Sequence, residues 1–408
     1  MDAHAMDTLP DFFSPDVLLR HVSHTLSFYF PRCVDPRGGF FHHFRDDGTV
    51  YDRRARHLLS SAGFVSVFAR SWRHFRDPDH QALVRHGLDF LRRVHRNPDT
   101  GGYRWVLEWD GAGARALDDD NHCRALACVL LAYAHAVDAG VEEARAWVHE
   151  TFELMEERFW EPEHGLYADR ASGDWSRLAP CRSQMANLHA CEALLAAYRA
   201  TSHLTYLHRA ELVARHITRR QAARAGGMVW EHYRQDWQPD WDGAQLDKGR
   251  SYQPGHFAQW SKLLLQLESH GAHLGGPRDW LLPNAQDLYA SAMRLAWDAR
   301  HGGLHAGFAP DGMVCDADKI HWVQAETLAA SALLGARTGA ERYWVDYERL
   351  WRFCWQHMID HEHGAWYRIL GADKRRYSDE KSPAGKVDRE TMGACYDILP
   401  ALARHARR

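Results

Sequence analysis

A glycine followed by an aromatic or large apolar residue recurs through the chain at Gly39-Phe40, Gly102-Tyr103, Gly165-Leu166, Gly227-Met228, Gly303-Leu304 and Gly364-Ala365-Trp366. The steps between these glycines are 63, 63, 62, 76 and 61 residues. A fixed long period means stacked supersecondary units, so it constrains the fold more than any local motif. Each glycine opens alternating aromatic and polar residues, as in Gly101-Gly102-Tyr103-Arg104-Trp105-Val106-Leu107-Glu108-Trp109, and Asp47-Gly48, Asp110-Gly111 and Asp311-Gly312 supply turns. These segments read as small β-hairpins. Between them, apolar residues at i, i+3, i+4 and i+7 predict twelve helices near 14–30, 56–74, 79–95, 121–139, 141–159, 182–200, 203–220, 252–270, 283–298, 320–335, 340–358 and 390–405.

Six helical hairpins can stay open as a solenoid or close into a toroid. The unit count and the absence of polar capping units favour closure, giving an all-α, (α/α)6 barrel with short β-hairpins on one rim and a single domain over 1–408. The longer fourth unit, with Trp237-Gln238-Pro239-Asp240-Trp241, is read as a lid over that rim.

Composition excludes several function classes. Fifty basic and 54 acidic residues give a net charge of −4, so there is no electrostatic footprint for nucleic acid or an anionic membrane. No stretch is long and apolar enough to span a bilayer, and no leader-like segment opens the chain. The eight cysteines form no C-x-x-C pair and fit free thiols in a reducing, cytoplasmic setting. There is no H-E-x-x-H, and His361-Glu362-His363 falls in a turn, so no metal is expected; without a glycine-rich phosphate loop, no cofactor is expected either.

The 29 histidines are distributed with a pattern. The second helix of each unit has a titratable residue near its start: His57, His122, His189, His256, His321 and Glu390. If those helices form an inner ring, all six side chains gather at one end of the axis. An inherited packing position would produce the same recurrence, so the pattern supports a site more than any one residue. His256, in Pro254-Gly255-His256, lies where the helix dipole disfavours imidazolium and keeps a neutral base available. Trp322 and Glu326 lie one turn apart on one helix face and suit a sugar held by stacking and hydrogen bonds. Asp118-Asp119-Asp120 with Glu390 could supply a hydrolase's carboxylate pair, but the run reads better as a cap on the helix at 121–139.

Several stretches in one order carry a family resemblance: Asp46-Asp47-Gly48-Thr49-Val50-Tyr51, Arg56-His57-Leu58, Asn121-His122-Cys123, Ala186-Asn187-Leu188-His189-Ala190-Cys191-Glu192, Gln253-Pro254-Gly255-His256, Trp322-Val323-Gln324-Ala325-Glu326 and Ser378-Asp379-Glu380-Lys381-Ser382-Pro383-Ala384-Gly385-Lys386. Through them the chain resembles the N-acylglucosamine 2-epimerase superfamily, in particular its mannose isomerase and mannose 2-epimerase branch, along nearly its whole length. The resemblance implies an (α/α)6 barrel, a monosaccharide substrate, a possible homodimer, and cofactor-free aldose–ketose isomerisation or C2 epimerisation. In that chemistry a base removes the proton alpha to the carbonyl, an enediolate forms, and an acid returns the proton.

Four positions depart from the family pattern. Glu390 stands where a second catalytic histidine is expected, Gly63 where an arginine would hold the carbonyl oxygen, Met185 in place of an asparagine and Gln259 in place of a glutamate. Two consequences compete. Glu390 acts as the second base through a raised pKa, with His122 or Arg124 supplying charge to the oxyanion; or Gly63 and Met185 open a larger, less polar pocket for a different, less hydroxylated ligand. Arg53, Arg54 and Arg56 could compensate for the arginine missing at Gly63. The leading assignment makes His256, Glu390 and His189 catalytic, with His57, His122, Asn187, Trp322, Glu326, His321, Gln259 and Met185 binding substrate. The alternatives are another acid/base enzyme of this fold acting on a non-sugar, and a non-catalytic sugar or metabolite binder.

Overall fold

A computed structural model of the 408-residue chain describes residues 9–241, 251–274 and 276–407. Twelve long helices account for its architecture: α1 (Pro15–Tyr29), α2 (Leu58–Phe75), α3 (Pro78–Phe90), α4 (Cys123–Asp138), α5 (Ala144–Arg158), α6 (Gln184–Thr201), α7 (Leu204–Arg215), α8 (Pro254–Ser269), α9 (Leu281–Ala296), α10 (His321–Thr338), α11 (Glu341–Phe353) and α12 (Arg389–His405). The even-numbered helices pack side by side in the order α2, α4, α6, α8, α10, α12, and α12 returns to α2. Each carries an odd-numbered helix on its outer side: α3, α5, α7, α9 and α11 follow their partners in sequence, and α1 packs on α12. The chain is an (α/α)6 barrel.

Sequence determines which ring a helix joins. In α4, CRALACVLLAYAHAVD, nearly every side chain is buried, as expected for a helix apolar on all faces. By contrast α5 buries only the face carrying Ala144, Val148, Thr151, Phe152 and Met155. Single π-helical turns extend α3, α7 and α11 (Leu91–His95, His216–Gln221 and Cys354–Met358) as each outer helix hands over to a hairpin.

All the inner helices start on one rim, where short strands tie neighbouring units together. Ala55–His57 pairs with Val106–Trp109, Asn121–His122 with Arg170–Ala171, Arg182–Ser183 with His232–Tyr233, and Lys319–Ile320 with Ile369–Leu370. A bridge between Tyr252 and Phe308 continues the series. The last tie joins the two ends of the barrel: Phe44 of His43–Arg45 pairs with Ser382 of Glu380–Ser382.

Two expectations need correction here. The acidic run does not cap α4; the cap residue is His122, while Asp118 accepts from the Asp120 amide and Asp120 faces Arg170. The segment read as a lid is part of the packed wall, since Trp237 is fully buried and donates from Nε1 to Glu161, and Trp241 leans on Trp230. The residues that follow Trp241 in that long unit lie outside the described residues. Among the described residues, no helix is long and apolar enough to cross a membrane.

Candidate active site

Because the inner helices share a polarity, their first turns converge at the hairpin rim. His57 is the cap residue of α2, its Nδ1 accepting from the Leu59 amide at 3.2 Å. Trp105 stands between His57 and His122, with ring centroids 4.3 and 4.2 Å away. His321 is the first residue of α10, and its Nδ1 donates to the Arg368 carbonyl at 3.0 Å. Burial holds all three imidazoles well below the usual range, at about 3 for His57 and about 4 for His122 and His321.

His256, in the first turn of α8, is the most elaborately held of the set. Its Nδ1 lies 3.0 Å from both carboxylate oxygens of Glu231, which is itself buried in the fourth hairpin. A carboxylate accepts only, so it fixes the proton on Nδ1 and leaves the Nε2 lone pair as the reactive position. Glu231 is set in turn by Gln184, whose amide donates to it at 2.8 Å while accepting from Trp260 Nε1 at 2.8 Å. Trp322 lies along the other side of the imidazole, with ring centroids 4.9 Å apart. That contact requires Gly255, where a Cβ would come within 2.4 Å of the indole. Sequence reasoning missed both Glu231 and Gln184: Glu231 lies 25 residues before His256 in the same unit, and Gln184 starts the neighbouring inner helix α6, so packing of α6 against α8 brings the three together.

A second wall, between α6 and α12, is ionic. Arg389 donates to Glu192 at 3.2 Å and to Glu390 at 2.8 Å. Burial alone would raise both carboxyls, but Arg389 outweighs it: Glu192 is held well below the usual carboxylate range and Glu390 is also lowered. The expectation that Glu390 has the raised pKa of a proton-exchanging base is therefore overturned by its neighbour in sequence. Arg124 reaches the same region, where its charge acts on Glu390 and on His189. Among the described residues it has no ion pair, and its buried Nε has no partner. His189 is buried and lowered to about 4, chiefly by burial, with Arg124 adding to the effect against the pull of Glu192. Its Nδ1 stands 3.6 Å from Glu192, beyond hydrogen-bond reach.

Other predicted site residues have different surroundings. Asn187 is fully buried and spends its amide on the third hairpin, accepting from the Tyr167 amide at 2.9 Å and donating to the Tyr167 and Ser183 carbonyls at 2.9 and 3.2 Å. Gln324 does the same for Leu304, so Asn187 acts as a hairpin clamp, with both its amide hydrogens spent on backbone carbonyls. Glu326 lies deeper along the axis, in a 2.6 Å ion pair with Lys262 that leaves it 2% exposed. Burial, together with repulsion from Glu192 and Asp397, raises its carboxyl to about 7 against the pull of Lys262. It is a buried partner of Lys262, one turn along α10 from Trp322. Gln259 is buried one turn beyond His256, and Met185 is half-buried at the start of α6.

Gly63 does not enlarge the site. A Cβ at this position would lie 2.6 Å from Val387 Cγ2, so the valine already fills the space. Nor do the nearby arginines replace the missing cation: Arg56 is fully buried against Asp35 at 2.7 Å, and Arg54 is exposed near Glu108. Among the described residues, no three His, Cys, Asp or Glu side chains are grouped to hold a metal. His363 and Glu362 are exposed side by side.

The profile of the N-acylglucosamine 2-epimerase (GlcNAc 2-epimerase) family matches residues 39–393. A D-mannose isomerase of Marinomonas mediterranea is 47% identical over 399 residues, covering 96% of this chain and 99% of that protein. A D-mannose isomerase of Thermobifida fusca is 33% identical, over 72% of each chain. A crystal structure of D-mannose isomerase superposes with a TM-score of 0.92 at 47% identity, covering 96% of this chain and all of the other. The cellobiose 2-epimerase of Spirochaeta thermophila, at 21% identity and a TM-score of 0.85 over 96% and 97% of the two chains, shares the fold. The repeat, the closed ring and these matches agree: the chain belongs to the N-acylglucosamine 2-epimerase family.

Proposed function

We propose that the protein is a cofactor-independent sugar isomerase that interconverts a mannose-like aldose and its ketose, with His256 as the single carbon base. The asymmetry between the two walls carries this reading: His256 has a fixed tautomer with Nε2 available, whereas Glu390 is held ionised by Arg389. The identity to D-mannose isomerases over nearly the whole chain supports the substrate class.

The reaction follows from the groups in place. His256 Nε2 takes the proton from C2 of the open-chain aldose, and the C2–H electron pair forms the C1–C2 double bond as negative charge moves to O1. Glu231 offsets the positive charge on the imidazolium meanwhile. The same imidazolium returns the proton to C1, on the same face, while the O2 proton is lost and O1 gains one, which gives the ketose. Arg124, which has no ion pair among the described residues, stabilises the developing oxyanion, and neutral His189 donates to it as an uncharged electrophile. C2 epimerisation would require a proton donor on the opposite face, a role that an ionised, arginine-bound Glu390 fills poorly. Trp322 supplies the apolar surface beside His256.

The finer readings of a monosaccharide ligand and a cytoplasmic setting, to which eight free cysteines are suited, belong to the same proposal. A homodimer rests on the family resemblance alone. Proton NMR with mannose and fructose in deuterium oxide tests the reaction. Fructose should form from mannose with deuterium entering the reacting carbons and without glucose, and His256→Ala should lower the rate by about 10²–10⁴-fold. Absence of both fructose formation and exchange in folded protein, or glucose formed as fast as fructose, would overturn the assignment.

A further inference from the structure

The inner helices end together at the mouth opposite the hairpin rim, around a cavity of about 930 Å³. Five arginines line it: Arg70 and Arg73 from α2, Arg199 from α6, Arg337 from α10 and Arg404 from α12. It has three carboxylates, and each is already held by one arginine. Asp397 pairs with Arg70 at 2.7 Å, Asp138 with Arg73 at 3.1 Å, and Glu268 with Arg337 at 2.7 Å. Among the described residues, Arg199 and Arg404 have no ion pair, and both are exposed to the cavity.

A second observation is independent of that charge count. His135 of α4 lines the same cavity, is 8% exposed, and has an Nδ1 with no hydrogen-bond partner. Burial, together with the charge of Arg70, holds its pKa well below the usual range, so the ring is neutral. A neutral imidazole with an unsatisfied buried nitrogen is costly unless something fills the space beside it. Helix dipoles account for a cation in a final turn, but that effect fades within one turn. They do not explain Arg70, which lies further up α2, or the unpartnered His135 nitrogen.

We propose that this mouth is a binding site for a small polyanion, a metabolite with two or more phosphate or carboxylate groups, held by Arg199 and Arg404 with His135 at its floor. The volume suits a ligand of that size. The site is separate from the catalytic rim but linked to it through the axis. Asp397 bridges Arg70 and Lys262, at 2.7 and 3.6 Å, Lys262 holds Glu326, and the charge of Glu192 bears on both members of that pair before the series reaches Arg389 and Glu390.

Isothermal titration of the full chain with pyrophosphate and with citrate, against potassium chloride at matched ionic strength, tests this without reference to any activity. The expected result is saturable one-to-one binding of at least one anion with Kd below about 1 mM, weakened at least tenfold in the Arg199→Ala/Arg404→Ala double variant. Charge reversal at Arg404→Glu, an exposed position, should weaken it by itself with the thermal midpoint unchanged. Tighter pyrophosphate binding identifies a phosphate-bearing ligand, and tighter citrate binding a carboxylate-bearing one. No saturable heat with either anion, or binding undiminished in folded variants, would overturn the proposal.

Discussion

The two walls of the catalytic rim are built by opposite means. On the α8 side, a histidine is held by one carboxylate, that carboxylate by an amide and that amide by an indole, so each group in the relay has a partner and one imidazole nitrogen stays available. On the α12 side, an arginine is shared between two carboxylates, so both are held ionised and neither is disposed to exchange protons. The first arrangement prepares a base, and the second prepares a fixed field. Ionisable residues at equivalent points of a repeat can therefore have unrelated roles, decided by the adjacent residue in one case and by a residue two elements away in the other.

Removing the shared cation would break this comparison most severely. Arg389→Leu leaves Glu192 and Glu390 buried and uncompensated, and we expect a loss of about 3 kcal/mol or more in denaturant unfolding. If stability is unchanged, the ionic wall is not a structural unit. Next comes Glu231→Gln, which keeps the shape of the His256 support but removes its charge. The kcat for mannose should fall by about tenfold to hundredfold, the value of a hydrogen bond to a charged group, with KM little altered. A KM effect alone would make Glu231 a substrate contact and not a positioning residue.

The buried imidazoles of the same rim also predict a pH dependence. His57, His122, His189 and His321 titrate at about 3 to 4 in the folded protein and near 6.5 when unfolded. Below pH 6.5 the unfolded chain binds more protons, so the stability from keeping these rings neutral is complete above pH 6.5. It is lost as pH falls from 6.5 towards 4. The thermal midpoint should drop by about 5 °C or more between pH 7 and 5, and a flat profile would place these rings in water.

Much of the barrel could be read directly from the chain because its signals are local. The stretch 252–270 was read as a helix and Pro254–Ser269 forms one; 121–139 corresponds to Cys123–Asp138, and 14–30 to Pro15–Tyr29. Apolar periodicity, proline at a first turn and glycine-led hairpins all act within a few residues. The site was less legible because its decisive contacts cross units. Asn187 sits beside the site in sequence, yet its amide faces the Tyr167 backbone, which no spacing rule could indicate. The filling of the space at Gly63 by Val387 joins residues more than 300 positions apart. Arg389 was a missed local clue: a cation next to Glu390 was visible in the sequence and predicts a lowered carboxyl.

The tie between Phe44 and Ser382 has a consequence for how the protein is made. On a ribosome, the first units emerge long before their ring partners, and α1 has no inner helix to cover until α12 is synthesised. Until then the nascent chain is an open crescent with two raw ends, and neither the ionic wall nor the charge line along the axis exists. Completion of the ionic wall is thus a long-range event, high in contact order and dependent on α12.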